Sequence, residues 1–294
     1  MSRDLRGYGA TPPDVIWPNG ARVAVSLVVN VEEGAERSVL DGDERNESVY
    51  EAREEVVGAG DPCMTSHFGY GPRRGYWRIV ETLDAFDAKA TFSTCGRAAE
   101  ATPWLIRDVV ARGHEVSCHG WRWETHAGLD EATERKIIAR THETLSRISG
   151  TAPCGWHTRS ASTVNTRRLL IEHGGFDYDS DAYDDDLPYL VAGSQARPHV
   201  VLPYAFDTND MRFQPGGGFI TGEDFSGYCL AAYDRLLKEG CGAMMSVGLH
   251  LRLSGKPARI QGLVQFLEGV RARGGAWIAP RRDIAAHWRG FSEG

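Results

Sequence analysis

The chain has 294 residues, of which 41% are hydrophobic and 25% charged, and this composition excludes a protein that is disordered throughout. Its 40 acidic residues outnumber its 33 basic residues, which gives a formal net charge of −7. This balance lacks the basic surface that binding to nucleic acid or to an anionic membrane requires. The length is compatible with two small domains or with one large barrel.

The sequence carries no recognisable secretion signal or membrane span. No apolar stretch follows the charged residues 1–6, and the longest apolar run, 23–31, is far shorter than the roughly 20 residues of a spanning helix. The six cysteines are dispersed and include no C-x-x-C pair, which is typical of a reducing compartment. We therefore expect a cytoplasmic protein with neither a membrane nor a nucleic acid as partner.

Short apolar runs alternate with amphipathic stretches from residue 21 onward. The first run, 22–30, is apolar almost throughout, as in a strand buried on both faces of a parallel sheet. Further strands are predicted at 90–95, 114–119, 154–157, 176–178, 200–202, 243–250 and 276–279. Helices are predicted at 76–86, 103–113, between Asp130 and Gly150, and at 165–173, 225–237, 257–273 and 281–288.

This alternation favours one α/β barrel over two domains, and we expect a single catalytic domain spanning 1–294. An N-terminal arm, 1–20, precedes the first strand. Two segments interrupt the alternation, a long excursion at 34–75 and an acidic, loop-rich passage at 179–199. Long loops that follow the strands of a barrel usually belong to the active-site face or to an oligomer contact.

Polar side chains collect where the predicted strands end, and in a parallel barrel all these ends face one cavity. They are Asn30, Glu32, Glu33, His119, His157, Arg159, Asp207, Asp210 and His250. Carboxylates, histidines and an arginine together suit the hydrolysis of an amide, which needs a base for water, an acid for the leaving nitrogen and positive groups for the oxyanion. Repulsion between the adjacent glutamates would raise the pKa of one of them if both face the cavity.

Other enzyme signatures are missing from the sequence. It has neither a G-x-S-x-G elbow nor a phosphate-binding G-x-x-x-x-G-K-[ST] loop, and its G-x-G pairs do not follow predicted strands. The glycines at 216–218 fit a turn or a lid better than a phosphate cradle.

With these residues in view, the chain resembles the polysaccharide deacetylase superfamily, and within it the metal-independent bacterial allantoinases. The resemblance covers nearly the whole sequence and rests on strings at 30–34 (NVEEG), 117–123 (SCHGWRW), 165–168 (NTRR), 207–213 (DTNDMRF) and 246–250 (SVGLH). It implies a distorted (β/α) barrel and a hydrolase that opens a cyclic amide such as allantoin.

The same resemblance bears on whether the protein binds a metal ion as a cofactor. Metal-dependent members have two aspartates in the first motif and two histidines in the second, whereas this chain has Glu32-Glu33 and places Trp123 at the second histidine. Only Glu33 and His119 remain as metal ligands, fewer than the three that zinc ordinarily takes from a protein. We therefore expect no cofactor, with one divalent ion such as zinc as the alternative, and we expect His126 to lie on the surface.

The resemblance also implies roles for individual residues. Glu32, paired with Glu33, is the general base, His250 the acid, and His119 orients the substrate, while Arg159 steadies the catalytic carboxylate. Trp123 and Trp156 would wall a flat ring. Asp207 and Asp210 would bind ring N–H groups or, equally, hold their loop.

The third motif, 155–162, differs from that of established allantoinases, so the sequence leaves the substrate open. The alternatives are a metal-dependent deacetylase or a cyclic imide hydrolase on the same scaffold, and an inactive barrel that only binds a small molecule. The long excursion, through which relatives assemble, predicts a homo-oligomer, either a dimer or a tetramer.

Overall fold

A computed structural model describes residues 4–49, 54–193, 197–214 and 217–293. Its strands are β1 (Val23–Val31), β2 (Thr91–Thr94), β3 (Glu115–Cys118), β4 (Gly155–Trp156), β5 (Tyr178–Asp179), β6 (Tyr189–Val191), β7 (His199–Val201), β8 (Ala243–His250) and β9 (Ala276–Ile278). Its α-helices are α1 (Pro62–Tyr70), α2 (Tyr76–Ala85), α3 (Gly96–Ala101), α4 (Pro103–Ala111), α5 (Glu131–Ser149), α6 (Thr166–His173), α7 (Gly222–Glu239), α8 (Leu251–Ser254), α9 (Ile260–Arg273) and α10 (Arg281–Glu293).

The nine strands form one curled sheet in the order β6-β7-β5-β4-β3-β2-β1-β8, and β9 pairs with the first residues of β1. All pairs are parallel except β6 with β7. A parallel bridge between Asn209 and Gly248 brings the chain after β7 back to β8 at the far end of the sheet. The fold is therefore the distorted (β/α) barrel that the sequence predicts.

Burial follows the predicted pattern. All nine residues of β1 are buried, as expected of a central strand with side chains packed on both of its faces. A second apolar cluster includes Trp17 of the N-terminal arm, which packs against Trp277 and Trp288. The arm thus covers apolar side chains that α10 and β9 would otherwise expose.

Most predicted elements are present, but helices α1, α3 and α8 were not predicted, and three further elements differ. Thr221 begins α7 at Gly222, earlier than predicted, through a capping box with Asp224. Helix α9 begins at Ile260 rather than at Pro257, because 256–259 form turns. The acidic passage contains β6, a short antiparallel strand whose three residues are only partly buried and show little apolar pattern.

The described parts of the excursion, 34–49 and 54–75, fold over the C-terminal ends of the strands. Asp43 accepts two hydrogen bonds from Arg122, both of 2.6 Å, and Glu47 accepts one of 3.1 Å from Arg159. Farther along, Phe68 of α1 packs edge-on against Trp123. The excursion is thereby fixed to the loops that follow β3 and β4.

Candidate active site

The site lies where β1, β3 and β8 end. The parallel pairing of β1 with β8 sets Asn30 opposite His250, and Glu32 and Glu33 follow directly at the end of β1. His119 is the first residue after β3. Because parallel strands end at the same edge, these side chains converge as predicted, and all of them are buried.

Glu32 lies at the centre of this cluster. Its Oε1 lies 3.2 Å from His250 Nε2 and 3.6 Å from His119 Nε2, and its Oε2 accepts a 2.7 Å hydrogen bond from Arg252. Burial alone would raise the pKa of Glu32, but His250, Arg252 and His119 together hold it well below its ordinary value. The carboxylate is therefore ionised at neutral pH.

His250 lies between two carboxylates. Its Nδ1 is 2.6 Å from Asp210 Oδ1, opposite the contact of its Nε2 with Glu32. Burial would lower the pKa of His250, but the two negative charges outweigh it and raise the pKa to about 9. His250 is thus an imidazolium at neutral pH, with a proton at Nε2 to give.

His119 is held in one tautomer by the backbone. Its Nδ1 lies 2.7 Å from the carbonyl oxygen of His157, which can only accept, so Nδ1 carries the proton and donates it. Its Nε2 faces Glu32 Oε1 at 3.6 Å. The His157 ring stacks on His119, and burial together with the nearby His119 keeps the pKa of His157 well below its usual range.

Glu33 has a different environment from Glu32. Its Oε2 accepts a hydrogen bond of 3.2 Å from the Glu32 backbone N–H, while Arg252 lies 3.6 Å from Oε1. Burial, opposed by Arg252 but reinforced by the charge of Glu32, raises the pKa of Glu33 to about 7. The two adjacent carboxylates therefore have different pKa values. Glu33 is also closely packed, because a Cβ at residue 71 would stand 2.5 Å from Glu33 Oε1, so only glycine fits there.

Sequence reasoning missed Arg252. This side chain is only 2% exposed, contacts both glutamates, and lies over the rings of Phe68 and Trp123 at 4.5 and 4.7 Å. Its position two residues after His250 was the available signal, since a charged residue just beyond a buried strand end faces the same rim.

A cavity of about 110 Å³ opens beside this cluster. Arg252 and Trp123 form its inner part, Arg159 and Ser48 are polar parts of its wall, and Val49 and Phe213 are apolar parts. We call it the site cavity. Of the buried charged groups of the cluster, Arg252 lines this cavity, and the excursion contributes Ser48 and Val49 to its wall.

Arg159 was predicted to steady the catalytic carboxylate, but its described hydrogen bonds go to other groups. Arg159 donates to the carbonyl oxygen of Trp123 at 2.6 Å and to Glu47 at 3.1 Å, and the arginine that steadies Glu32 is Arg252. Its guanidinium also lies 3.5 Å above the Trp123 ring. That ring therefore lines the cavity but is covered by this chain's own cation.

The remaining predicted substrate contacts lie elsewhere. Trp156 is fully buried and donates to Thr158, so it belongs to the core. Asp207 is exposed and accepts a hydrogen bond from Tyr228. Asp210 is fully buried, and its Oδ2 accepts from the His250 and Ser254 backbone N–H groups and from the Ser254 hydroxyl. Of the two predicted roles of Asp210, the structure favours holding its loop. Pro215 and Gly216 lie outside the described residues.

The first two motifs do not fit a divalent metal ion. Arg252 sets a fixed positive charge against both carboxylates, and the indole of Trp123 can only donate a hydrogen bond. Within the described ranges, no three His, Cys, Asp or Glu side chains are grouped to hold an ion. The surface position predicted for His126 was wrong, because it is fully buried and contacts Glu134 at 3.0 Å.

Comparison with known proteins identifies the family of this chain. The family model for polysaccharide deacetylase matches residues 57–178. A Schizosaccharomyces pombe protein named as a polysaccharide deacetylase is 36% identical over 98% of this chain and 97% of its own length. The chain belongs to the polysaccharide deacetylase family. It is thus a hydrolase of that family, and its barrel is of the family's type.

Two crystal structures resemble this chain over nearly its whole length. Puue allantoinase has a TM-score of 0.93 and 43% identity, covering 99% of this chain and 98% of that one. A Pseudomonas aeruginosa PAO1 structure described as a polysaccharide deacetylase has a TM-score of 0.92 and 44% identity, covering 98% of each chain. Among the helices that the structure describes, none has the length and apolar character needed to span a bilayer.

Proposed function

We propose that this chain hydrolyses a C–N bond of a cyclic amide, as an allantoinase does, and that it needs no metal ion. The observation that carries the proposal is the single oxygen of Glu32 that faces both His250 Nε2 and His119 Nε2. An ionised carboxylate and a protonated imidazole in contact supply a base and an acid at one point. The similarity to Puue allantoinase supports a cyclic ureide as substrate.

The first step activates water. Glu32 Oε1 takes one proton from a water molecule that lies beside His119 Nε2, and the hydroxide oxygen attacks the ring carbonyl carbon. The carbonyl oxygen becomes negative as this bond forms. Arg252 lines the site cavity, and its Nε–H has no partner within the described part of the chain, so it is placed to stabilise that oxygen.

The second step breaks the ring. His250 gives its Nε2 proton to the leaving nitrogen as the C–N bond breaks, which leaves a carboxylic acid and an N–H group on the opened chain. Glu32 then holds the proton from water and His250 lacks one. The 3.2 Å between Glu32 Oε1 and His250 Nε2 lets that proton return directly. In this scheme the positive charge of Arg252 stabilises the negative oxygen, so the charge of a metal ion is not needed.

The test is a substrate screen with site variants. Purified protein is offered cyclic ureides, cyclic imides and N-acetylated sugars, with and without a chelator, and ring opening or acetate release is followed. We expect a cyclic ureide to be opened with full activity in chelator. Glu32→Gln and His250→Ala should each lower kcat by at least about a hundredfold, whereas the exposed Glu81→Gln should not.

Three results would contradict the proposal. Near-normal turnover by either site variant would remove that residue from its role. Activity lost in chelator and restored by zinc would show a metal-dependent enzyme. Acetate release from a sugar without ring opening would place the chain among the deacetylases in activity as well as in family.

A further inference from the structure

Arg159, at the mouth of the site cavity, has N–H groups that its described hydrogen bonds do not use. A guanidinium has five N–H groups, and the described contacts use two of them, one to the Trp123 carbonyl and one to Glu47. The Arg159 side chain is 26% exposed, whereas Arg252 is 2% exposed. Arg159 therefore offers N–H groups to a ligand in the cavity without taking part in the Glu32–His250 cluster.

Both arginines line one short cavity. Both approach the Trp123 ring, Arg159 at 3.5 Å and Arg252 at 4.7 Å from its centre, so their separation cannot exceed these two distances together. Arg252 adjoins Glu32, where the scissile bond must lie. A ring bound with that bond at Arg252 directs a substituent toward Arg159.

Carboxylates of this chain already face both arginines. Glu47 pairs with Arg159, and Glu32 and Glu33 face Arg252. Apart from Ser48, the rest of the wall is apolar and includes Val49 and Phe213. N–H donors without excess positive charge in an apolar wall match a neutral carbonyl oxygen better than a carboxylate.

We propose that Arg159 is a specificity-determining residue, which donates hydrogen bonds to a carbonyl oxygen on a neutral substituent of the substrate ring, away from the bond that is cleaved. Glu47 is a positioning residue that holds the guanidinium in place. The excursion at 34–75 thereby contributes to substrate choice through Glu47. This inference rests on the proposed ring-opening activity and names which cyclic amides are preferred.

The experiment compares two substrates that differ only in the substituent. Allantoin carries a ureido group on its ring, and hydantoin is the same ring without it. The ratio of kcat/KM for allantoin to that for hydantoin is measured in the wild type and in Arg159→Gln, Arg159→Lys and Glu47→Gln. Arg140→Gln is the matched control, because Arg140 stacks 3.4 Å above Trp121 on the exposed face of α5.

We expect Arg159→Gln to lower the ratio by at least about tenfold, mainly through the KM for allantoin, while hydantoin turnover changes little. Arg159→Lys should recover part of the ratio, Glu47→Gln should lower it less, and Arg140→Gln should leave it unchanged. Equal losses on both rings, or an unchanged ratio, would overturn this proposal alone. If the wild type opened neither ring, the proposed function itself would fail, and this inference with it.

Discussion

Asp210 supports His250 from behind, with 2.6 Å between Asp210 Oδ1 and His250 Nδ1, while its second oxygen accepts the backbone N–H of the same histidine. One carboxylate thus fixes both the ring and the backbone of the proposed acid. Its charge, with that of Glu32, overcomes the effect of burial and raises the pKa of His250 to about 9.

The first prediction concerns Asp210→Asn. Removing the negative charge lowers the pKa of His250, so the imidazole loses its proton at a lower pH and can no longer protonate the leaving nitrogen. The high-pH limb of the kcat profile should move from near 9 toward the ordinary histidine value of about 6.5. Ring opening followed from pH 5 to 10 checks this, with the exposed Asp184→Asn as control. A high-pH limb that stays in place would show that Asp210 does not set the acidity of His250.

The second prediction concerns Glu33→Gln and stability. The folded-state pKa of Glu33 is raised to about 7, so its burial costs nothing below the unfolded value near 4.5, costs increasingly as the pH rises from 4.5 to 7, and costs a constant amount above 7. The variant should therefore match the wild type at pH 4 and be up to about 3 kcal/mol more stable at pH 8. Urea unfolding at both pH values measures the difference, and Glu81→Gln should show none. A stability difference that is the same at both pH values would contradict the raised pKa.

The parts of the site that the sequence predicts are those fixed by strand ends. Glu32, His119 and His250 each close a recognisable strand, and a parallel barrel must bring such residues to one rim. The fold follows from the same regularity, since β1 and β8 are long, apolar and uninterrupted. The local sequence pattern was sufficient to place a site residue wherever a buried strand determined the position of that residue.

What escaped prediction depends on contacts between distant segments. Arg159 meets Glu47 across 112 positions, in an excursion that has no periodicity to place it. His126 was predicted to lie on the surface because it is seven residues from His119 across a predicted loop, but in the interior it contacts Glu134 in the first turn of α5. Side-chain pairing of this kind leaves no spacing signal in a single sequence.

The third prediction concerns Arg281, which joins the two ends of the curled sheet. This buried guanidinium bonds serine hydroxyls after β5 and on β1 and β8, and the carbonyl oxygens that follow β7. Arg281→Met leaves these groups unpaired in the interior and should lower the unfolding free energy by about 1–3 kcal/mol for each group left without a partner. Denaturant unfolding should show near-wild-type stability for Arg282→Met, whose side chain is 40% exposed. Equal stability of the two variants would mean that the barrel closes without Arg281.

The last prediction concerns Gly248 on β8, where the strand approaches the segment that carries Asp210. A Cβ at this position would stand 2.5 Å from the Tyr204 hydroxyl and closer still to the Asn209 amide, a separation that real side chains essentially never show. Gly248→Ala must therefore push Asn209 outward, and Asp210 with it, away from His250. We expect a loss of about 1–3 kcal/mol from overpacking, together with a lower kcat and a high-pH limb displaced in the same direction as in Asp210→Asn.

The matched control for this variant is Gly227→Ala in α7. A Cβ there meets no atom within 4 Å, so the substitution only removes the flexibility of a glycine inside a helix and should stabilise the protein by about 0.5–1 kcal/mol. Urea unfolding and the pH dependence of ring opening are measured on both variants. If Gly248→Ala were as stable and as active as the wild type, the contact between β8 and the Tyr204–Asn209 segment would not position Asp210.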